Sequence, residues 1–561
     1  MRRSNEPSSS VALLARIAFA LAIASPPTTA LARDDDASDR PREPLLEGIG
    51  SYSRPAGTDS DLAQRYFDQG LNLLFAFNHE EAARAFQESA ELDPSCAMAW
   101  WGLAYAQGPH INLPVVTTEQ ARVALDALDR ARSAAKTDLE RALVEALASR
   151  HVPEPPEDRS ALDRAFAEAM RVLHEQHPDD PDIGCFHAES LMNLRPWALY
   201  AQDGTPEPGT EAIVALIEGI LESSPDHPLA NHLYIHAVEP STRPGRAEAA
   251  ADRLRDLQPG LSHNVHMPSH IDVRLGHWEK AEEANRRAIE ADRRFLAVRP
   301  NPGFYGLYIA HNYHMLAYAA MMRGRSAPAI AAIDEMMGLI PVEWAKQHAA
   351  IADGYLAMPL EVRMRFGLWD EILAAPEPDP AFPLARALRR YARAVSFAAQ
   401  GRVDEAKAEQ ARFREARSLV SDDATFGNNQ ASDLLNVAEH LMTGEILYRE
   451  GREEDAFAEL REAVRLQDLL RYSEPPDWIQ PVRHALAAAL IQSGRLAEAE
   501  QVCRDDLEQL PENGWALFGL MQSLELQGKD EEAARVRARW ESIWEDADVV
   551  LSSCCFCQPG V

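Results

Sequence analysis

The sequence predicts an all-α fold, a solenoid of stacked helix hairpins, and three observations carry that prediction. A glycine followed five residues later by an alanine recurs along the chain: Gly245/Ala250, Gly276/Ala281, Gly324/Ala329, Gly401/Ala406, Gly451/Ala456, Gly494/Ala499 and Gly528/Ala533. Each signature lies between two amphipathic stretches, where Gly accepts the left-handed backbone that ends one helix and Ala lets the next pack close. The spacing also repeats, with Gly367 to Gly401 and Gly494 to Gly528 each 34 residues apart and Gly245 to Gly276 31 apart. "FNHEEA" from Phe77 and "GLWDEI" from Gly367 are near copies. One such hairpin cannot bury its apolar face alone, so stacking supplies the core.

Taken in order, residues 1–32 read as a secretory signal peptide. Arg2 and Arg3 precede an apolar run from Val11 to Ala24, and Ala30-Leu31-Ala32 stands before Asp34-Asp35-Asp36, with cleavage expected after Ala32. The mature chain is therefore expected in the periplasm or secreted. No later segment offers an apolar run of about 18 residues, so no membrane span is expected. Residues 33–60, rich in Asp, Pro, Ser and Gly, read as a flexible leader. Repeats follow over 61–225, 226–340 and 341–548, with 100–225 the least regular, and 549–561 form a Cys-containing tail. Cys554, Cys555 and Cys557 are expected to be exposed, with thiols that oxidise and pair with Cys503; a soft-metal ligand set is the alternative. Cys96 and Cys185 read as small buried residues.

The chain has 561 residues, 46% hydrophobic and 26% charged, with a formal charge of −32. Removing the Arg2, Arg3, Arg16 and Glu6 of the signal takes away a net +2 and leaves −34. Such a surface repels phosphate backbones and attracts cations, which argues against a nucleic-acid partner. There is no G-x-G-x-x-G, no P-loop and no G-x-S-x-G elbow, so nucleotide-dependent and α/β-hydrolase chemistry have no support.

The first repeat is the clearest. In "YFDQGLNLLFAFNHEEAARAFQESAELDP", Gly70, Ala82, Phe86 and Pro94 reproduce the spacings of the 34-residue tetratricopeptide repeat (TPR). From about residue 61 to 548 the chain resembles that family. The resemblance implies a right-handed α-solenoid whose concave groove, lined by the first helix of each repeat, binds a protein or peptide partner. "FDQGLNLLFAFNHEEAARAF", "YIHAVEPS", "HMPSHI", "HNYHM" and "NGWALFGL" are together similar to a family of exported bacterial TPR proteins, a likeness that implies fold and compartment but no chemistry.

Nine of the 18 histidines fall between residues 227 and 314, where even scatter would place about three. With the signature glycine set at repeat position 15, His232, His263 and His311 share position 2, His266 and His314 position 5, and Glu239 and His270 position 9. Positions three and four apart lie on one helix face, the face that the TPR resemblance turns toward the groove. His232, His236 and Glu239 form one stripe at i, i+4 and i+7; two His four apart can bind one metal, and the carboxylate can be a third ligand or a base. The stripe lacks the intervening Glu of H-E-x-x-H, so metalloprotease chemistry is not indicated. Pro268 is expected to start or kink a helix, turning His266 away from His270 and toward a shared centre. Tyr305, Tyr308 and Tyr313 border the cluster, and Arg274 stands one turn after His270, a candidate carboxylate clamp. His187 with Glu189 is a weaker candidate for an earlier inner helix.

Three readings stay open. The first is an exported TPR solenoid that binds a protein, peptide or small ligand, with His232, His236, His263, His266, His270, His311 and His314 as a metal-competent centre. The second is a metal-dependent enzyme, hydrolase or oxidase, with Glu239 as base. The third is a purely structural scaffold. Zinc is the default ion for imidazoles outside the cytosol, with copper or iron as alternatives.

Overall fold

The computed structural model describes residues 42–558. The expected signal peptide lies outside the described residues. The chain divides into two units, one made of residues up to Ile271 plus Arg287–Ile309, the other of Asp272–Arg286 plus residues from Ala310 onward. The division thus falls inside the central block expected at 226–340. Both units are all-α, TPR-like stacks of helix hairpins.

In the first unit Asp61–Phe75 pairs with His79–Leu92, Ala97–Ala106 with Thr118–Ala134, Pro181–Met192 with Thr210–Ser223, and Pro228–Val238 with Glu248–Leu257. The two helices of a hairpin differ in burial. Every residue of Pro228–Val238 is buried, whereas Glu248–Leu257 buries only Ala250, Ala251 and Leu254. The inner helix of this hairpin is therefore buried all round and the outer one amphipathic. Gly70 and Gly102 show why the first two hairpins need glycine inside helices. A Cβ at either would stand 2.6 or 2.5 Å from the Phe86 ring, which is clamped between them.

Residues 42–60 are not the flexible leader their composition suggests. The backbone N–H of Leu46 donates to Gln69 Oε1 at 2.7 Å, and the Tyr66 hydroxyl donates to the Glu43 carbonyl at 2.6 Å. Tyr52 donates to Asp182 at 2.7 Å, and Arg54 holds Asp180 and Asp182 together at 2.6–2.8 Å. Gly260 N–H donates to the Gly48 carbonyl at 2.7 Å. Polar residues here meet specific buried partners, which composition alone cannot reveal.

In the second unit the hairpins are Pro383–Ala399 with Val403–Arg417, Ala431–Arg449 with Glu453–Gln467, Val482–Gln492 with Leu496–Gln509, and Gly514–Leu526 with Asp530–Ile543. A two-residue antiparallel pair, Thr425–Phe426 with Asn429–Gln430, is the sheet of this unit. Signature glycines from Gly276 to Gly528 take φ between 67° and 77°, the left-handed turn the pattern calls for. Gly245 departs from it and lies in the 3₁₀ turn Pro244–Ala247. The cysteines of the tail are buried instead of exposed, with Cys554, Cys555 and Cys557 at most 5% accessible. Its disulfide joins Cys555 to Cys557, while Cys503 and Cys554 are thiols. Arg365 and Arg449 anchor it by donating to the carbonyls of Cys554 and Cys557. Among the described residues, no helix is long and apolar enough to cross a membrane.

Candidate metal centre

The helix Pro228–Val238 starts with proline in its first turn and His227 as cap, whose Nδ1 accepts the Ala230 N–H at 3.2 Å. His227 Nε2 faces Asp182 at 3.0 Å. Four and eight residues into the helix, respectively, come Asn231-His232 and Ile235-His236, so both imidazoles share one face. His232 Nδ1–H donates to the Phe75 carbonyl at 2.7 Å, and His236 Nδ1–H donates to Glu239 Oε1 at 2.7 Å. With the proton held on Nδ1, each Nε2 carries a lone pair. Both Nε2 atoms are buried without a hydrogen-bond partner.

His263 comes from the short helix Ser262–His266. Its ring lies edge-on to His232, centroids 4.9 Å apart, and both of its nitrogens are buried without a partner. One nitrogen each from His232, His236 and His263 lie within 4.8 Å of one another, and the three residues are 0%, 5% and 2% exposed. Burial and the neighbouring imidazoles push His232 and His263 well below the ordinary histidine range, and burial lowers His236 as well. The three rings are therefore neutral at pH 7, the form that ligates.

Pro268 begins a new helix, Pro268–Leu275, yet it does not turn His266 away from His270. Their Nε2 atoms meet at 2.7 Å. His270 Nδ1–H donates to Glu239 Oε2 at 2.6 Å. Glu239 is completely buried and receives one imidazole N–H on each oxygen. Burial raises its pKa, but His270 and the two hydrogen bonds outweigh that and hold the carboxylate below its usual range. This is the arrangement by which a carboxylate fixes ring orientation and tautomer behind a metal ligand. Each oxygen of Glu239, the residue the sequence expects as a third ligand or base, thus accepts a ring N–H from His236 or His270.

Four residues that pattern reading passed over surround the three nitrogens. Phe77 sits at the signature position that glycine fills elsewhere, with φ 55°. Its ring lies 4.3 Å from His232, 5.8 Å from His263 and 5.0 Å from His110. His79 and His110 stack on each other at 4.2 Å, and burial lowers both, His79 to about 4. Trp197 meets His236 edge-on at 5.4 Å. A single His or aromatic at a helix junction gives no periodic signal; Phe77 alone could have been found, as a bulky residue where the repeat wants Gly.

The other expected residues are placed as follows. The Tyr305 hydroxyl accepts the His263 N–H at 3.2 Å and lies 2.9 Å from Ser262 Oγ. The Tyr308 ring packs 4.4 Å from His263. His187 is buried near His174, and Glu189 accepts the Tyr105 hydroxyl at 2.7 Å. His311 and His314 fall in the second unit, where burial pushes His314 down to about 3. Tyr313 there donates to Glu335 at 2.9 Å, and Arg274 lies over the Tyr472 ring in a cation–π contact.

No protein-family model and no curated protein sequence matches the chain. Among solved structures it is similar to the human IFIT1 dimer with m7Gppp-AAAA, at 11% identity, covering 97% of this chain and 96% of that one with a TM-score of 0.31. It is similar to Cut9 in the APC/C hetero-tetramer Cut9–Hcn1, at 12% identity over 88% and 76% with a TM-score of 0.29. It is also similar to yeast Tom70, at 12% identity over 86% and 91% with a TM-score of 0.29. These likenesses say nothing about chemistry.

Proposed function

We propose that the first unit is a metal-binding module in which His232, His236 and His263 hold one late transition-metal ion, zinc first. One observation carries the reading: three buried imidazoles bring one nitrogen each within 4.8 Å of one another, and His232 Nε2, His236 Nε2 and both nitrogens of His263 are buried without a hydrogen-bond partner. Buried polar atoms are normally satisfied, and an ion satisfies these. Zinc–nitrogen bonds of about 2.0–2.1 Å place tetrahedral ligands about 3.3 Å apart, so small ring rotations complete the set. Imidazole alone suits zinc and copper. A two-His, one-carboxylate iron site is disfavoured, because Glu239 binds imidazole N–H groups instead of facing the three nitrogens.

In this reading Glu239 is a positioning residue, His266 and His270 are an adjoining pair tied to the centre through it, and His311 and His314 are outside the ligand set. An exported chain would load its metal after translocation, consistent with the expected signal at 1–32. A peptide partner for the groove rests on the repeat alone, whereas the metal rests on named atoms and takes precedence. The test is elemental analysis of the mature, untagged protein. One equivalent of zinc, lost in His232→Ala and in His263→Ala while the helical circular dichroism persists, supports the proposal. Metal-free protein that takes up no zinc, copper or iron on titration overturns it in favour of the structural scaffold.

A further inference from the structure

Resting on the three-imidazole reading, we infer that the centre is open, and that a pocket beside His236 admits a compact metal-ligating molecule of at most three heavy atoms to the ion's fourth position. Ile111, Met192, Trp197, Leu199 and Pro240 form apolar walls, and His236 belongs to the same lining. The cavity volume is about 20 Å³, room for one or two water-sized molecules. Arg195 at the rim is paired with Glu207 at 2.9 Å, so attraction comes from the ion and not from a spare cation. Three protein ligands with an open position distinguish catalytic from closed structural zinc sites.

Backbone geometry singles out the same imidazole independently. Among the described residues, three other than glycine have positive φ: Phe77, Trp197 and Glu512. Two of them put their rings on His236, Phe77 stacked at 6.1 Å and 8°, Trp197 edge-on at 5.4 Å and 80°. A left-handed backbone is costly for a bulky side chain and persists where surrounding structure demands it, typically at ligand sites. Phe77 lies parallel to the His236 ring, and Trp197, edge-on to that ring, is itself a wall of the pocket. Trp197 is itself fixed by the set: its Nε1–H donates to Asn112 Oδ1 at 3.1 Å, Asn112 Nδ2 donates to the Tyr308 hydroxyl at 3.0 Å, and Tyr308 packs on His263. The wall that limits ligand size is thus tied to a second ligating ring, which makes the opening a size filter.

The test uses the full mature chain loaded with cobalt(II), whose visible absorption reports coordination. Azide, linear and three atoms long, is expected to shift the spectrum saturably, while imidazole, with five heavy atoms, does not. Leu199→Trp fills the pocket and is expected to weaken azide at least tenfold with cobalt stoichiometry unchanged; Met192→Phe serves if that variant does not fold. Trp197→Ala is expected to let imidazole in. Equal responses to azide and imidazole in the unaltered protein, or no response to either, overturn the open centre while leaving the metal site standing. Failure to take up cobalt overturns both.

Discussion

Removing the carboxylate of Glu239 isolates the part it plays. In the native protein one side chain accepts Nδ1–H from His236 at 2.7 Å and from His270 at 2.6 Å. Glu239→Ala leaves both donors buried and unmet, and nothing then holds the His236 proton on Nδ1; part of the population shifts it to Nε2 and loses the lone pair a metal needs. Outer-shell partners of this kind are worth roughly 10–100-fold in metal affinity, about 1.4–2.8 kcal/mol. Glu239→Gln keeps one acceptor and should fall between native and Ala. Zinc dissociation constants are measured by competition with a chromophoric chelator at neutral pH and low temperature, on protein whose helical signal is native. An Ala variant that binds zinc within twofold of the native chain refutes the orienting role.

Two further outcomes test the fold. Burial pushes Glu445 from 4.5 up to about 8, with Gln558 Nε2 donating to one oxygen at 2.6 Å. Its folded pKa is raised, so its contribution is fully present below about pH 4.5 and lost as pH rises to about 8. Glu445→Gln should therefore remove a slope of about 1.4 kcal/mol per pH unit from the stability curve; denaturant titrations whose native-to-variant difference stays flat across pH 5–8 contradict this. Arg54→Met breaks the clasp on Asp180 and Asp182 and leaves the 2% exposed Asp182 to Tyr52 and His227 alone. A loss of about 1–3 kcal/mol is expected, with faster proteolysis between residues 42 and 60; unchanged stability and protease resistance would show the clasp to be ornamental.

The hairpins were legible because Gly and Ala at fixed spacing are demanded by backbone geometry, which is local. The His232 and His236 stripe was legible for the same reason, since a helix dictates what lies at i and i+4. Glu239 could be placed on that stripe, but its second partner, His270, lies 31 residues away on another helix, and the meeting depends on how the two helices pack. Residues 42–60 and the Cys tail were misread because composition describes solvation of an isolated segment, whereas Tyr52 and Arg54 find partners more than 120 residues distant. Phe77 left a trace, as a break in the repeat; Trp197, His79 and His110 left none.

Repeat arrays ordinarily gain stability neighbour by neighbour, so they can begin to assemble at any point and can fray from an end. Glu43 accepts from Arg299, 256 positions later, and Gly48 accepts from Gly260. The amino-terminal strap therefore cannot finish docking until that far stretch has left the ribosome. It belongs to the last acts of maturation in its unit, and once fastened it turns an array that could peel from its leading edge into one that opens all together.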